Sequence, residues 1–130
     1  MAKYFRWAVA FAIILATTQT AQARPTERKA ILDALRPSAE RVWHAPVVFV
    51  VTEIKVYAGY AYVAVNPKRP NGGAIRMMLD FQAGDAYGTA LLIHSHGNWR
   101  VLRFVAGGDD PWFCGYPGVP RQVLPSYCSN

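Results

Sequence analysis

Residues 87–108 read YGTALLIHSHGNWRVLRFVAGG, two apolar runs broken at Gly97-Asn98. A tight hairpin turn demands positive φ angles, which glycine and asparagine tolerate better than other residues. With those two residues as the loop, His96 faces Trp99, His94 faces Val101, Leu92 faces Arg103 and Leu91 faces Phe104. Strand side chains alternate between faces, so Leu91, Ile93, Leu102 and Phe104 share one face. Leu92, His94, His96, Trp99, Val101 and Arg103 share the other. The first is a core face. The second mixes apolar bulk with two imidazoles and a cation, which makes it a candidate surface for function.

The chain ahead of this hairpin divides into a helix and a β region. Residues 25–44 carry the helical pattern: Pro25 or Thr26 opens it, Glu27 lies in the first turn, and Ile31, Leu32 and Leu35 recur at helical spacing. Pro37 interrupts that pattern, and the residue before a proline is pushed away from helical angles. The expectation is a break at Arg36-Pro37 and a second short turn over 38–43. Ala34 and Leu35 would face a sheet, while Lys29, Asp33 and Arg36 would face water.

After Ala45-Pro46 the pattern turns to β. VVFVVTEIKVY (47–57) begins as a continuous β-branched run and ends in alternation, Ala58-Gly59 makes a turn, and YAYVAV (60–65) returns. NPKRPNGG (66–73) is an exposed connection by its prolines and glycines. AIRMMLDFQ (74–82) reads as a further strand, and Ala83-Gly84-Asp85 turns the chain into the long hairpin.

Beyond Gly107-Gly108-Asp109-Asp110-Pro111 the chain is rich in proline, glycine and aromatics and has little periodicity. Its two cysteines, Cys114 and Cys128, are the only ones in the chain. In an oxidising compartment an even pair at this separation forms a disulfide. Without that bond such a tail would be disordered.

The first 23 residues have the pattern of an export signal. Lys3 and Arg6 form a positive n-region, residues 7–16 an apolar run, and Ala21-Gln22-Ala23 a small-residue cleavage site. The apolar run is too short for an anchor. Cleavage after Ala23 would leave residues 24–130 as one domain, periplasmic or secreted from a bacterium, with no integral membrane segment. Loss of Lys3 and Arg6 takes the net charge from +6 to +4. The remaining cations form no long run, and an exported protein rarely meets nucleic acid, so no nucleic-acid partner is expected.

One helix followed by about five antiparallel strands describes an α+β domain. In it an N-terminal helix packs on a curled antiparallel sheet, with a cystine-closed C-terminal tail. ILDALRP, FVVTEIKVYAGYAYVAVNP and ALLIHSHGNWRVLRFVAGGDDPW, with Trp99, Asp109 and Trp112, resemble a loose group of small exported bacterial proteins with the cystatin-like or NTF2-like cone. The resemblance implies a fold more than an activity.

No motif for catalysis or a cofactor stands out. His94 and His96 have the i, i+2 spacing that could ligate zinc or copper, but a third ligand would have to come from His44, Asp80 or Asp85 through the fold. No metal, cofactor or catalytic set is therefore assigned. Asp109-Asp110 reads as turn chemistry. Ser95 lacks a nucleophile elbow, and Asn71-Gly72-Gly73 lacks the lysine and helix of a phosphate loop. The cystine-closed tail, with prolines, aromatics and an arginine, reads either as a C-terminus tied down by its disulfide or as a preorganised recognition loop contacting a partner through Trp112, Tyr116, Arg121 and Tyr127. Three functional readings follow. The first is an exported binding protein, an inhibitor or immunity protein that neutralises a hydrolase or toxin in the cell envelope. The second is a small-ligand pocket at His94, His96, Trp99 and Arg103. The third is an enzyme using histidine with Asp80, Asp85 or Asp109.

Overall fold

A computed structural model describes residues 23–79 and 82–129. The expected export signal, apart from Ala23, and Asp80 lie outside the described residues. Helix α1 (Pro25–Trp43) comes first, followed by strands β1 (Val48–Tyr57), β2 (Tyr60–Lys68), β3 (Arg76–Leu79), β4 (Gln82–Asp85), β5 (Gly88–Ser95) and β6 (Asn98–Ala106). Strands β1, β2, β5 and β6 form one antiparallel sheet in that order, and β3 and β4 form a separate two-stranded hairpin.

The helix runs unbroken through Pro37, contrary to the expected break. Proline removes the N–H that would reach the carbonyl of residue 33, at a cost of about 3 kcal/mol in a helix interior. Burial on both sides of the proline offsets this. Ile31, Leu35 and Ala39, spaced four apart, are fully buried, and Trp43 packs edge-on to Phe104 beyond them. Arg36, expected to face water, instead donates to the carbonyl of Val47 and lies 5.3 Å from the Phe49 ring centroid. Lys29 and Asp33 do sit at the exposed surface, paired with each other. His44 ends the helix in the left-handed region, at φ 51°.

The expected single strand over 74–82 is two short strands. Met77 pairs with Gly84 and Met78 with Ala83, so Ala83 to Asp85 belong to a strand and not to a turn. The pairing is held locally. The Arg76 guanidinium makes a 3.0 Å ion pair with Asp85 and donates to the Ala83 carbonyl, a cross-strand clamp that binds the segment to itself. The large sheet therefore has four strands, not five.

Each outer strand of that sheet carries one irregularity. The β1–β2 register slips between Val51 and Glu53, and the β5–β6 register slips between Leu91 and Leu92, leaving Leu102 as the extra residue. A bulge reverses the alternation of side chains beyond it and sharpens the local twist. Thus Phe49 and Val51 before the first bulge, and Ile54 and Val56 after it, all face the helix. On β6, Trp99 and Val101 face the helix before the bulge and Phe104 after it. The Phe104 ring lies so close over Gly88 that a Cβ there would stand 2.6 Å from it.

The sheet is covered on both sides. Under the helix, Ile31 and Leu35 pack on Ala61, Val63, Val65, Ala90 and Leu92, every one of them buried. On the opposite face the tail lies across Tyr62 and Leu91 through Phe113, Val123 and Leu124, which are also buried. The Cys114–Cys128 disulfide closes this segment, with 5.1 Å between Cα atoms, and 3-10 turns at Arg121–Val123 and Ser126–Ser129 shape it. The tail is a second covering layer.

Candidate functional site

The long hairpin turns one residue earlier than its Gly-Asn pair implies. His94 pairs with Trp99 and Ser95 with Asn98, so the loop is His96-Gly97, at φ 51° and 79°. Two consecutive positive φ angles are what a two-residue hairpin that follows strand twist requires. Histidine tolerates that region better than most side chains. The Ser95 hydroxyl lies 2.8 Å from His96 Nδ1, and Asn98 Nδ2 donates to the His96 carbonyl at 3.4 Å.

This register and the bulge change which side chains meet. His94 and Trp99 share the helix side, their rings 5.1 Å apart and tilted by 56°. His96 leaves the strand for the turn, so the two imidazoles no longer form an i, i+2 strand pair. Arg103 comes out on the opposite face, where its guanidinium carbon lies 5.0 Å from the Trp112 ring centroid. Phe104, assigned above to the face of Leu91, lies on the helix side instead. The four residues of the proposed ligand pocket are thus divided between one face, the turn and the other face. What remains with His94 and Trp99 is a cleft of about 560 Å³ between the hairpin turn and the start of the helix, with Arg24, Glu27, Ala34 and Asn98 among its walls. Among the described residues, no three His, Cys, Asp or Glu side chains gather as metal ligands would. His44 ends the helix and Asp85 is paired with Arg76.

The tail residues fall into two groups around Phe113. Trp112 stacks edge-on to Phe113 and Tyr116, at 5.5 and 6.0 Å, and its indole N–H donates to Thr89 Oγ1 at 2.9 Å. With Arg103 above it, Trp112 ties the tail to β5 and β6. On the other side of Phe113, Tyr127 is 61% exposed, its ring 6.2 Å from that of Phe113. Tyr62 lies beneath, 4.8 Å from Phe113. Burial, followed by the neighbouring Tyr127 and its hydrogen bond and then Glu53, pushes the Tyr62 phenol well above its ordinary value of 10. Arg121 is exposed in the first 3-10 turn. Lys55 reaches from β1 to donate to the Leu124 carbonyl at 2.6 Å, closing the tail against the outer strand.

Sequence patterning missed a third group. Tyr87 donates its hydroxyl to the Gly108 carbonyl at 2.9 Å, and the Gly107 N–H donates to the Tyr87 carbonyl at 2.9 Å. These bonds fix the 107–111 loop between two hollows. One, about 440 Å³, is walled by Tyr87, Asp109, Asp110, Phe113 and Tyr127. The other, about 320 Å³, is walled by Tyr87, Asp109, Met77 and Met78. Gly107-Gly108 and Asp109-Asp110 marked this loop in the sequence, and both glycines have positive φ.

No family model, curated protein or solved structure matches the chain.

Proposed function

We propose that the protein is an exported, non-enzymatic binding protein, with the cystatin-like or NTF2-like cone as its scaffold. Its contact surface is the tail-covered face, and it acts as an inhibitor or immunity protein that neutralises a hydrolase or toxin in the cell envelope. The observation that carries this reading is the setting of Tyr127. An aromatic side chain stands largely in solvent on a segment whose neighbours Phe113, Val123 and Leu124 are buried and whose ends are joined by a disulfide. A rigid aromatic presented this way loses little entropy on binding and can fill a partner's pocket. Arg121 and Tyr116 extend the surface on the same segment. The disulfide fits an oxidising compartment. Among the described residues no helix is long and apolar enough to cross a membrane.

Capture from envelope extract by the oxidised protein tests the reading. One stoichiometric protein, retained by the wild type and lost with Tyr127→Ala at unchanged fold, is the expected result. A partner held equally by both forms, or none, removes the tail as the contact surface.

The His94–Trp99 cleft supports a second reading, a site for a small apolar or anionic ligand. An aromatic wall faces the first turn of a helix and the Arg24 side of the chain there. A thermal shift with small ligands that disappears in Trp99→Ala would favour this reading over the first.

A further inference from the structure

We propose that the two hollows beside the 107–111 loop form one groove that receives a basic side chain of a protein partner, an arginine or lysine flanked by apolar residues. The inference rests on the tail-face reading and adds the chemistry of the contact.

The hollows lie side by side and share Tyr87, Gly108 and Asp109 as a common wall. They are lined by the two most exposed large apolar side chains among the described residues, Met78 at 68% in the smaller and Tyr127 at 61% in the larger. Asp109 lines both hollows and Asp110 the larger, and both are exposed. No lysine or arginine lines either hollow among the described residues. The nearby Arg76 on β3 is held by Asp85 and the Ala83 carbonyl. Two exposed carboxylates with no cation in the lining complement a positive side chain.

The surrounding walls narrow the choice further. Tyr87 and Tyr127 supply aromatic rings to the wall of the larger hollow, and a guanidinium or ammonium group is attracted to aromatic faces as well as to carboxylates. Aspartate oxygens can take the two parallel N–H groups of an arginine. Apolar residues on either side of that cation would cover the exposed Met78 and Tyr127. Hydrogen bonds on both sides hold the loop in this arrangement. It is held by the two Tyr87 bonds on one side and by the Trp112–Thr89 bond on the other.

The test is a heteronuclear NMR titration of the mature, oxidised protein with acetyl-Leu-Arg-Leu-amide. The matched control replaces arginine by citrulline, which keeps the shape and removes the charge. Saturable shifts at Tyr87, Gly108, Asp109, Asp110 and Tyr127 are expected. The arginine peptide should bind at least about tenfold tighter than its citrulline partner, and added salt should erode the difference. Asp109→Asn with Asp110→Asn should abolish the preference. Equal binding of the two peptides would show an apolar hollow only. Shifts reproduced by calcium chloride alone would show a metal-ion site, and no saturable shift would show no groove ligand; each of these overturns the inference. A captured envelope protein that is lost with Tyr127→Ala but held by the double asparagine variant would sink this inference while leaving the tail-face reading standing. Failure of capture with a positive titration would do the reverse.

Discussion

The two faces of the sheet are closed by opposite means. On one side lies a helix that satisfies its own backbone and presents Ile31, Leu35 and Ala39 at regular spacing. On the other lies an irregular, proline-rich segment whose own backbone bonds are separate i, i+3 turns and no continuous ladder. That segment compensates with aromatic mass, a disulfide, and side-chain bonds to the strands at Thr89 and Lys55. The difference teaches where variation is tolerable. A helix covers by periodicity, so its exposed positions are interchangeable. An irregular cover is held residue by residue, and its exposed residues are therefore placed.

The largest expected effect lies under the helix. Leu35→Ala should cost about 2–5 kcal/mol, because the side chain is fully buried between helix and sheet. Urea unfolding read by circular dichroism would measure it, and a loss below about 1 kcal/mol would mean that the helix is a looser cover than its packing implies.

Next comes the tail. Replacing both cysteines by serine should cost about 3 kcal/mol, the chain-entropy value for a loop of this size. Hydrogen exchange should then show faster opening at Phe113 and Val123 than at Ile31 and Val63. Equal acceleration on both faces would break the comparison and make the sheet with its two covers a single cooperative unit.

The smallest effect is a pH dependence confined to the tail side. Tyr62 is raised above 10 in the folded protein, chiefly by burial. Between the unfolded and folded pKa values the unfolded chain has already lost the phenol proton, so the stabilisation is complete below pH 10 and declines as pH rises above it. Absorbance at 295 nm should show Tyr62 titrating only as the protein unfolds, and Tyr62→Phe should flatten the alkaline limb of the stability profile. Titration of every tyrosine near pH 10 in the folded state would show the tail lifting from the sheet.

The helix start, the first hairpin with its Ala58-Gly59 turn, the long hairpin and the cysteine pair were all legible in the sequence. Each is announced locally, by period, turn residues or cysteine count. What escaped was non-local. The local rule at Pro37 gives way because Ala39 and Trp43 gain burial only if the helix continues. A bulge has no residue signature, yet the one at Leu102 moves Phe104 under the helix and Arg103 over Trp112, dividing a site that simple alternation had gathered. The hairpin turn slid by one residue because His96, with Gly97, fills the left-handed positions that Gly-Asn advertised. Phe113, Val123 and Leu124 show no period, since an irregular cover has none, and so the second core was invisible until folded.

The bulges at Thr52 and Leu102 also bear on how copies of this protein behave together. An outer strand offers a neighbour a row of unpaired backbone groups, and a long straight row invites indefinite stacking. Here the row on β1 is interrupted at Thr52, whose hydroxyl is turned inward to the Ala64 carbonyl at 3.0 Å, and charged Glu53 and Lys55 follow. The row on β6 is interrupted at Leu102. A second molecule can find only a few residues of straight edge before the ladder goes out of step. The two irregularities thus shorten the regular edge that a second copy could extend on either side of the sheet.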